Sequence, residues 1–153
     1  MEANNMPTVV VGVDGSESAM AALDWAVAEA VDRHGRLRVV HGFIWPLYHV
    51  ELGPSPYGPE DSGLRAAAKR IVTDAIARAR TAAPDLAVDG VLHVGGAAGG
   101  LLAEASGAEL LVVGSRGLGG FEGLLVGSVS SQVATHADCP VVAVRPSTGE
   151  TGE

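Results

Sequence analysis

The run Leu110-Leu-Val-Val-Gly114-Ser-Arg-Gly117-Leu-Gly-Gly120-Phe-Glu-Gly-Leu-Leu-Val-Gly127-Ser128-Val-Ser130 carries an apolar strand into a glycine-rich loop, and the loop opens a helix. Two residues separate Gly114 from Gly117, and nine lie between Gly117 and the pair Gly127-Ser128. Glycines let a backbone approach a polyphosphate closely, and the first amides of a helix are placed to receive an anion. A strand, a phosphate-compatible turn and a helix in this order belong to the α/β class.

Working outward, five apolar runs alternate with four helix-like stretches. The first strand is Thr8 to Asp14, broken by Gly15-Ser16, with Ser16 as the N-cap of a helix that continues to about Arg33. The inward stripe of that helix is Ala19, Leu23, Ala26, Val27, Ala30 and Val31, and His34-Gly35 supplies its stop. Leu37 to Trp45, Leu86 to Val94, Glu109 to Gly114 and Pro140 to Arg145 are the remaining strands. A second helix, Asp61 to Ala83, turns Leu64, Ala68, Ile71, Ala75 and Ala79 to one side before Pro84 ends it. A third, Ala97 to Ser106, is weakened by Gly99 and Gly100, each costing about 1 kcal/mol relative to alanine. The fourth runs from Val126 to Ala137 and lines up Val126, Val129, Val133 and Ala137.

Strands without polar alternation, separated by helices, predict a parallel sheet covered on both faces. The expected fold is a single doubly wound five-stranded sheet of flavodoxin-like or Rossmann-like type, with strand order 3-2-1-4-5. One domain spans residues 8–146, between a flexible N-terminus (1–7) and a polar tail (147–153). Pro46 to Glu60, with four prolines, reads as a long surface loop.

Composition bounds the chemistry. The chain has 153 residues, of which 47% are hydrophobic and 18% charged, enough apolar content for a packed core. No apolar run is long enough to cross a membrane, and the N-terminal residues lack a basic and an apolar segment, which predicts no secretion signal. The single cysteine, Cys139, suits a reducing compartment, so a cytoplasmic location is expected. A net charge of −8 argues against nucleic-acid and anionic-membrane surfaces.

In an open α/β sheet the ligand crevice lies beyond the C-terminal strand ends, where the strand order reverses. The expected order puts the first strand beside the fourth, so Asp14 and Gly114 face the same crevice. A carboxylate at Asp14 can accept from ribose hydroxyls or an adenine amino group, hold a metal ion, or cap the following helix. These roles are compatible.

The chain resembles the ATP-binding universal stress proteins from Val9 to Val144. The resemblance rests on Val11-Gly-Val-Asp-Gly-Ser16 at the first turn, on Leu110-Leu-Val-Val-Gly-Ser-Arg-Gly117, and on Gly127-Ser-Val-Ser130 followed by Cys139-Pro-Val-Val142. It implies that Gly12, Val13 and Asp14 line an adenosine pocket. It implies that the backbone of Gly114, Ser115, Arg116, Gly117, Leu118, Gly119 and Gly120 wraps ribose and phosphates. Gly127, Ser128 and Val129 then hold the terminal phosphates through amides and a hydroxyl. Arg116 is the one cation of the loop and either follows the phosphates or is solvated. Gly42 either admits adenine or marks a bulge. The implied cofactor is ATP with Mg2+, and the implied assembly is a homodimer through the fifth strand, Pro140 to Val144. Gly95-Gly-Ala-Ala-Gly-Gly100 departs from the family's usual polar or proline-containing helix start and is expected to loosen the third helix.

Other chemistries lack their motifs. There is no Gly-Lys-Ser/Thr after a glycine loop, no Gly-x-Ser-x-Gly elbow, no Cys-x-x-Cys and no His-Glu-x-x-His. His34, His41, His49, His93 and His136 show no metal-ligand spacing, so no metal site of zinc type is expected. His41, at a strand end, reads as a satisfied core or crevice residue, Cys139 as a buried, inert thiol, and Trp25 and Trp45 as packing residues. Ser128, Ser130 and Ser131 suit a helix start, and the glycine loop adds a phosphate role for Ser128. No general base flanks the loop, which predicts no catalytic residue and slow hydrolysis at most. The leading reading is a nucleotide-dependent stress-response module read by an unidentified protein partner. The alternatives are a cyclic-AMP or AMP binder, an adenine-nucleotide hydrolase-type enzyme, and a structural dimer with an empty loop.

Overall fold

Valine and leucine runs build the two central strands of a sheet that is covered on both faces. The computed structural model describes residues 6–43, 63–115 and 128–146. Its elements in chain order are β1 (Thr8–Gly12), α1 (Glu17–Asp32), β2 (Arg36–Phe43), α2 (Gly63–Ala82), β3 (Val88–Val94), α3 (Ala97–Ala105), β4 (Leu110–Gly114), α4 (Ser128–His136) and β5 (Val141–Val144). The five strands form one parallel sheet in the order β3-β2-β1-β4-β5, as the sequence pattern predicts.

Two core layers sandwich this sheet. Val9, Val11, Val39 and Val112 pack beneath α1 and α2, together with Leu23, Ala26, Ala75 and Ala79. Val10, Val40, Leu111 and Val113 pack on the other side against Leu101, Ala105 and Val133 of α3 and α4. Side chains alternate along each strand, so a valine-rich run feeds both layers. Fully burying one such side chain contributes on the order of 2 kcal/mol.

Local signals explain the element ends. Ser16 is extended, and its hydroxyl accepts from the Ala19 amide at 3.1 Å, which starts α1. At the other end the Gly35 amide donates to Ala30 and the His34 amide to Val31, closing the helix by the Schellman pattern. The left-handed residue there is His34 (φ 55°), not the glycine. Gly35 serves a different need, since a Cβ on it would strike the Pro7 carbonyl.

Several expectations are revised. Strand β1 stops at Gly12, and Asp14 sits on the turn beyond it. Val31 is 46% exposed, because the true stripe of α1 (Ala19, Ala22, Leu23, Ala26, Val27, Ala30) turns away from it. Trp25 is 37% exposed on the outer side of α1 rather than packed. On α2, Val72 joins the buried set that Ala68, Ala75 and Ala79 form. Helix α3 forms in spite of its glycines: Gly100 is buried, and its bare Cα gives room to the His93 ring. Leu64 (its side chain), Trp45, Val126, the loop Pro46 to Glu60 and the tail 147–153 lie outside the described residues.

Candidate functional site at the point where the strand order reverses

Strands β1 and β4 are neighbours at the centre of the sheet, and the chain winds outward from them in opposite directions. Their ladder pairs Val9 with Leu110, Val10 with Leu111 and Val11 with Val112. Past those pairs come Gly12-Val13-Asp14 on one side and Val113-Gly114-Ser115 on the other. This is the position at which an open parallel sheet presents a crevice.

Each rim is tied down. The Val13 amide donates to the Val40 carbonyl at 2.9 Å, and His41 Nδ1 lies 2.8 Å from the Val13 carbonyl oxygen. Asp14 Oδ1 accepts from the Ser16 amide at 2.9 Å across Gly15, whose φ of 87° suits glycine. Asp14 is thus half-buried at the mouth of α1, where the helix dipole favours a carboxylate. On the other rim, Ser115 is buried and its amide donates to Val144 at 2.8 Å. Ser130, buried in the first turn of α4, donates its hydroxyl to the Gly114 carbonyl at 2.6 Å.

Three glycines of this region are close-packing positions. A Cβ on Gly114 would lie 2.5 Å from Ser18 Oγ and 2.8 Å from the Ser18 backbone, so its bareness lets α1 sit over β4. A Cβ on Gly12 would meet the Leu101 side chain at 2.8 Å. Gly42 pairs in regular register with His93, so it is no bulge, and the Ala97 backbone of α3 occupies the space above it. Val129 is half-buried against the second core layer, and Ser128 is the first residue of α4. Arg116, Gly117, Leu118, Gly119, Gly120 and Gly127 lie outside the described residues.

The structure therefore brings Gly12, Val13, Asp14, Gly114 and Ser115 to one end of the sheet, on adjacent strands. The sequence did not single out the ties made by His41 and Ser130. One signal was present: a polar side chain at the end of a buried strand or in a buried helix turn needs a partner.

Charged groups elsewhere serve the frame. The Arg38 guanidinium is held above its usual value by its hydrogen bond to Asp89, against a counteracting burial, with Glu104 adding attraction. Arg78 is likewise raised by its exposed bidentate pair with Asp24. Burial, and secondarily Asp138, pushes the Cys139 thiol up, which lowers its thiolate fraction and its reactivity.

Comparison with known proteins decides the family. The model of the universal stress protein family matches residues 6–145. The chain belongs to the universal stress protein family. A universal stress protein of Mycolicibacterium smegmatis is 37% identical over 139 residues, covering 90% of this chain and 45% of that protein. One of Mycobacterium tuberculosis is 36% identical over 141 residues, covering 92% of this chain and 48% of that protein. The chain thus spans about half the length of these curated relatives. Among solved structures, a universal stress protein in complex with cAMP is 30% identical, with a TM-score of 0.69 over 93% of this chain and 98% of that one. Within this family fold no described helix is long and apolar enough to cross a membrane.

Proposed function

We propose that this universal stress protein domain is an ATP-binding regulatory module that hydrolyses its nucleotide slowly at most. The observation that carries the reading is the Gly114-x2-Gly117-x9-Gly127-Ser128 pattern, set where β4 leaves the sheet beside Asp14. Asp14 and the Gly12–Val13 backbone would receive the nucleoside. Residues 114–120 would wrap ribose and phosphates, with Arg116 along them, and Gly127, Ser128 and Val129 would hold the terminal phosphates. The donor set fits such a ligand, because the first amides of α4 have no partners within their helix.

Mg2+ would arrive with the phosphates. Among the described residues no three His, Cys, Asp or Glu side chains gather to hold a metal, and Mg2+ is commonly held by substrate phosphates plus one or two carboxylates. When bound it supplies charge neutralisation at the phosphate end. The chain works in the cytoplasm as a homodimer through β5, and a protein partner reads its nucleotide state. A second reading, a cyclic-AMP or AMP binder, is favoured by the 30%-identical relative in complex with cAMP.

Isothermal titration of nucleotide-stripped protein with Mg-ATP, AMP and cyclic AMP tests both readings. The informative variant is Gly127→Ala with Ser128→Ala, since Gly114→Ala would push on Ser18 and disturb the fold. Micromolar ATP binding that the variant loses is the expected outcome; tighter cyclic-AMP binding selects the second reading, and no binding at all rejects both. Phosphate release faster than about 1 per second, the low end of usual enzyme rates, would make it an enzyme instead.

A further inference from the structure

His41 stands directly after Val40, whose carbonyl accepts the Val13 amide at 2.9 Å, and its own Nδ1 is 2.8 Å from the Val13 carbonyl oxygen. Val13 is therefore bound to β2 through both its amide and its carbonyl, once by backbone and once by a side chain. This happens where support from the other side runs out, because the β1–β4 pairs end at Val11 and Val112. The next residue is Asp14, which is also fixed from the helix side by the Ser16 amide at 2.9 Å. A carbonyl can only accept, so Nδ1 is the protonated nitrogen of this contact, which in an uncharged imidazole leaves the lone pair on Nε2.

We infer that His41 is a positioning residue for the nucleoside end of the site: by holding the Val13 carbonyl against β2, it fixes the peptide that aims the Asp14 carboxylate. The inference rests on the nucleotide reading above. Fixing an acceptor before the ligand arrives spares the ordering cost at binding, which is how such a group acts without touching the ligand. The geometry also sets which part of a nucleotide feels it. Val13 and Asp14 belong to the β1 rim, whereas the α4 start belongs to the β4 rim, so the effect is common to every ligand carrying adenosine.

The test has a ligand-free arm and a ligand arm. Nitrogen-15 spectra of the imidazoles in the apo protein should show neutral His41 as the Nδ1-protonated tautomer; an Nε2-protonated ring overturns the clamp whatever the protein binds. In the ligand arm, adenosine, AMP and Mg-ATP are titrated against wild type, His41→Gln and His41→Asn. Asparagine can place an amide N–H near the Nδ1 position and glutamine cannot. Losing one such bond predicts a common loss of about five- to tenfold for all three ligands in His41→Gln, largely restored in His41→Asn. Unchanged affinities, or a loss confined to ATP, overturn the inference and leave nucleotide binding standing. If wild type binds none of the three, the nucleotide reading fails and this role fails with it, even where the tautomer is as expected. Val88→Ala, at the start of β3 and remote from the rim, serves as control: if it weakens the three ligands as His41→Gln does, the role is merely structural.

Discussion

The end of α1 shows how a single residue holds strain that a neighbour was expected to take. His34 occupies the left-handed region at φ 55°, where a side chain with a Cβ costs about 1–2 kcal/mol. Gly35, the residue suited to that region, is instead spent on the close approach of Pro7, whose carbonyl accepts the Arg36 amide at 2.9 Å. His34→Gly should therefore stabilise the domain, by about 1 kcal/mol at most, once the greater freedom of glycine in the unfolded chain is subtracted. Urea unfolding followed by circular dichroism measures it. A midpoint unchanged or lowered means that the His34 side chain contributes contacts that offset its backbone strain. No comparable substitution is available at Gly35, where any side chain meets the Pro7 backbone.

At the scale of elements, glycine means opposite things on two helices' boundaries. Gly114 ends β4 under the first turn of α1, and an added Cβ would meet both the Ser18 side chain and its backbone. Gly99 lies in α3 with nothing within 4 Å of the position its Cβ would take. The same change, glycine to alanine, should thus destabilise by about 1–3 kcal/mol at Gly114 through overpacking, and stabilise by up to about 1 kcal/mol at Gly99 through helix propensity. Thermal melting of the two variants side by side checks the signs; equal signs contradict the packing described. The pair also marks what was legible in the sequence. The alternation of valine runs with helical stripes gave the parallel sheet, and the doubly wound order that goes with it put β1 beside β4 at the crevice, because strands covered on both faces are mostly apolar. The stripe of α1 was legible at Ala19, Leu23, Ala26, Val27 and Ala30 and failed at Val31, one residue past the rotation that faces the core. What Gly12, Gly42 and Gly114 are for was not legible, since the atoms filling their space come from Leu101, Ala97 and Ser18, far away in sequence. The same holds for the ties from His41 to Val13 and from Ser130 to Gly114, which bridge 28 and 16 positions. The glycine pattern itself was read directly, and its loop beyond Ser115 rests on that reading.

For the whole molecule the deciding feature is the last strand. Leu111 donates to the Pro140 carbonyl at 2.9 Å and Ser115 to the Val144 carbonyl at 2.8 Å, so the even-numbered positions of this segment face β4. Val141 and Ala143 then turn their amides and carbonyls to the outer edge of the sheet, and Ala143 is exposed. An apolar edge of this kind invites another strand. A second copy of this chain, presenting the same edge, is the occupant that the homodimer reading predicts. Proline at position 143 removes an outward amide while leaving the bonds to β4 in place, so it separates the edge from the fold. Size-exclusion chromatography with light scattering should give twice the chain mass for wild type at micromolar concentration and the single-chain mass for Ala143→Pro, with a retained cooperative melt. A monomeric wild type removes the homodimer. A variant that stays dimeric moves the interface elsewhere, for which the exposed Trp25 face of α1 is the next place to mutate.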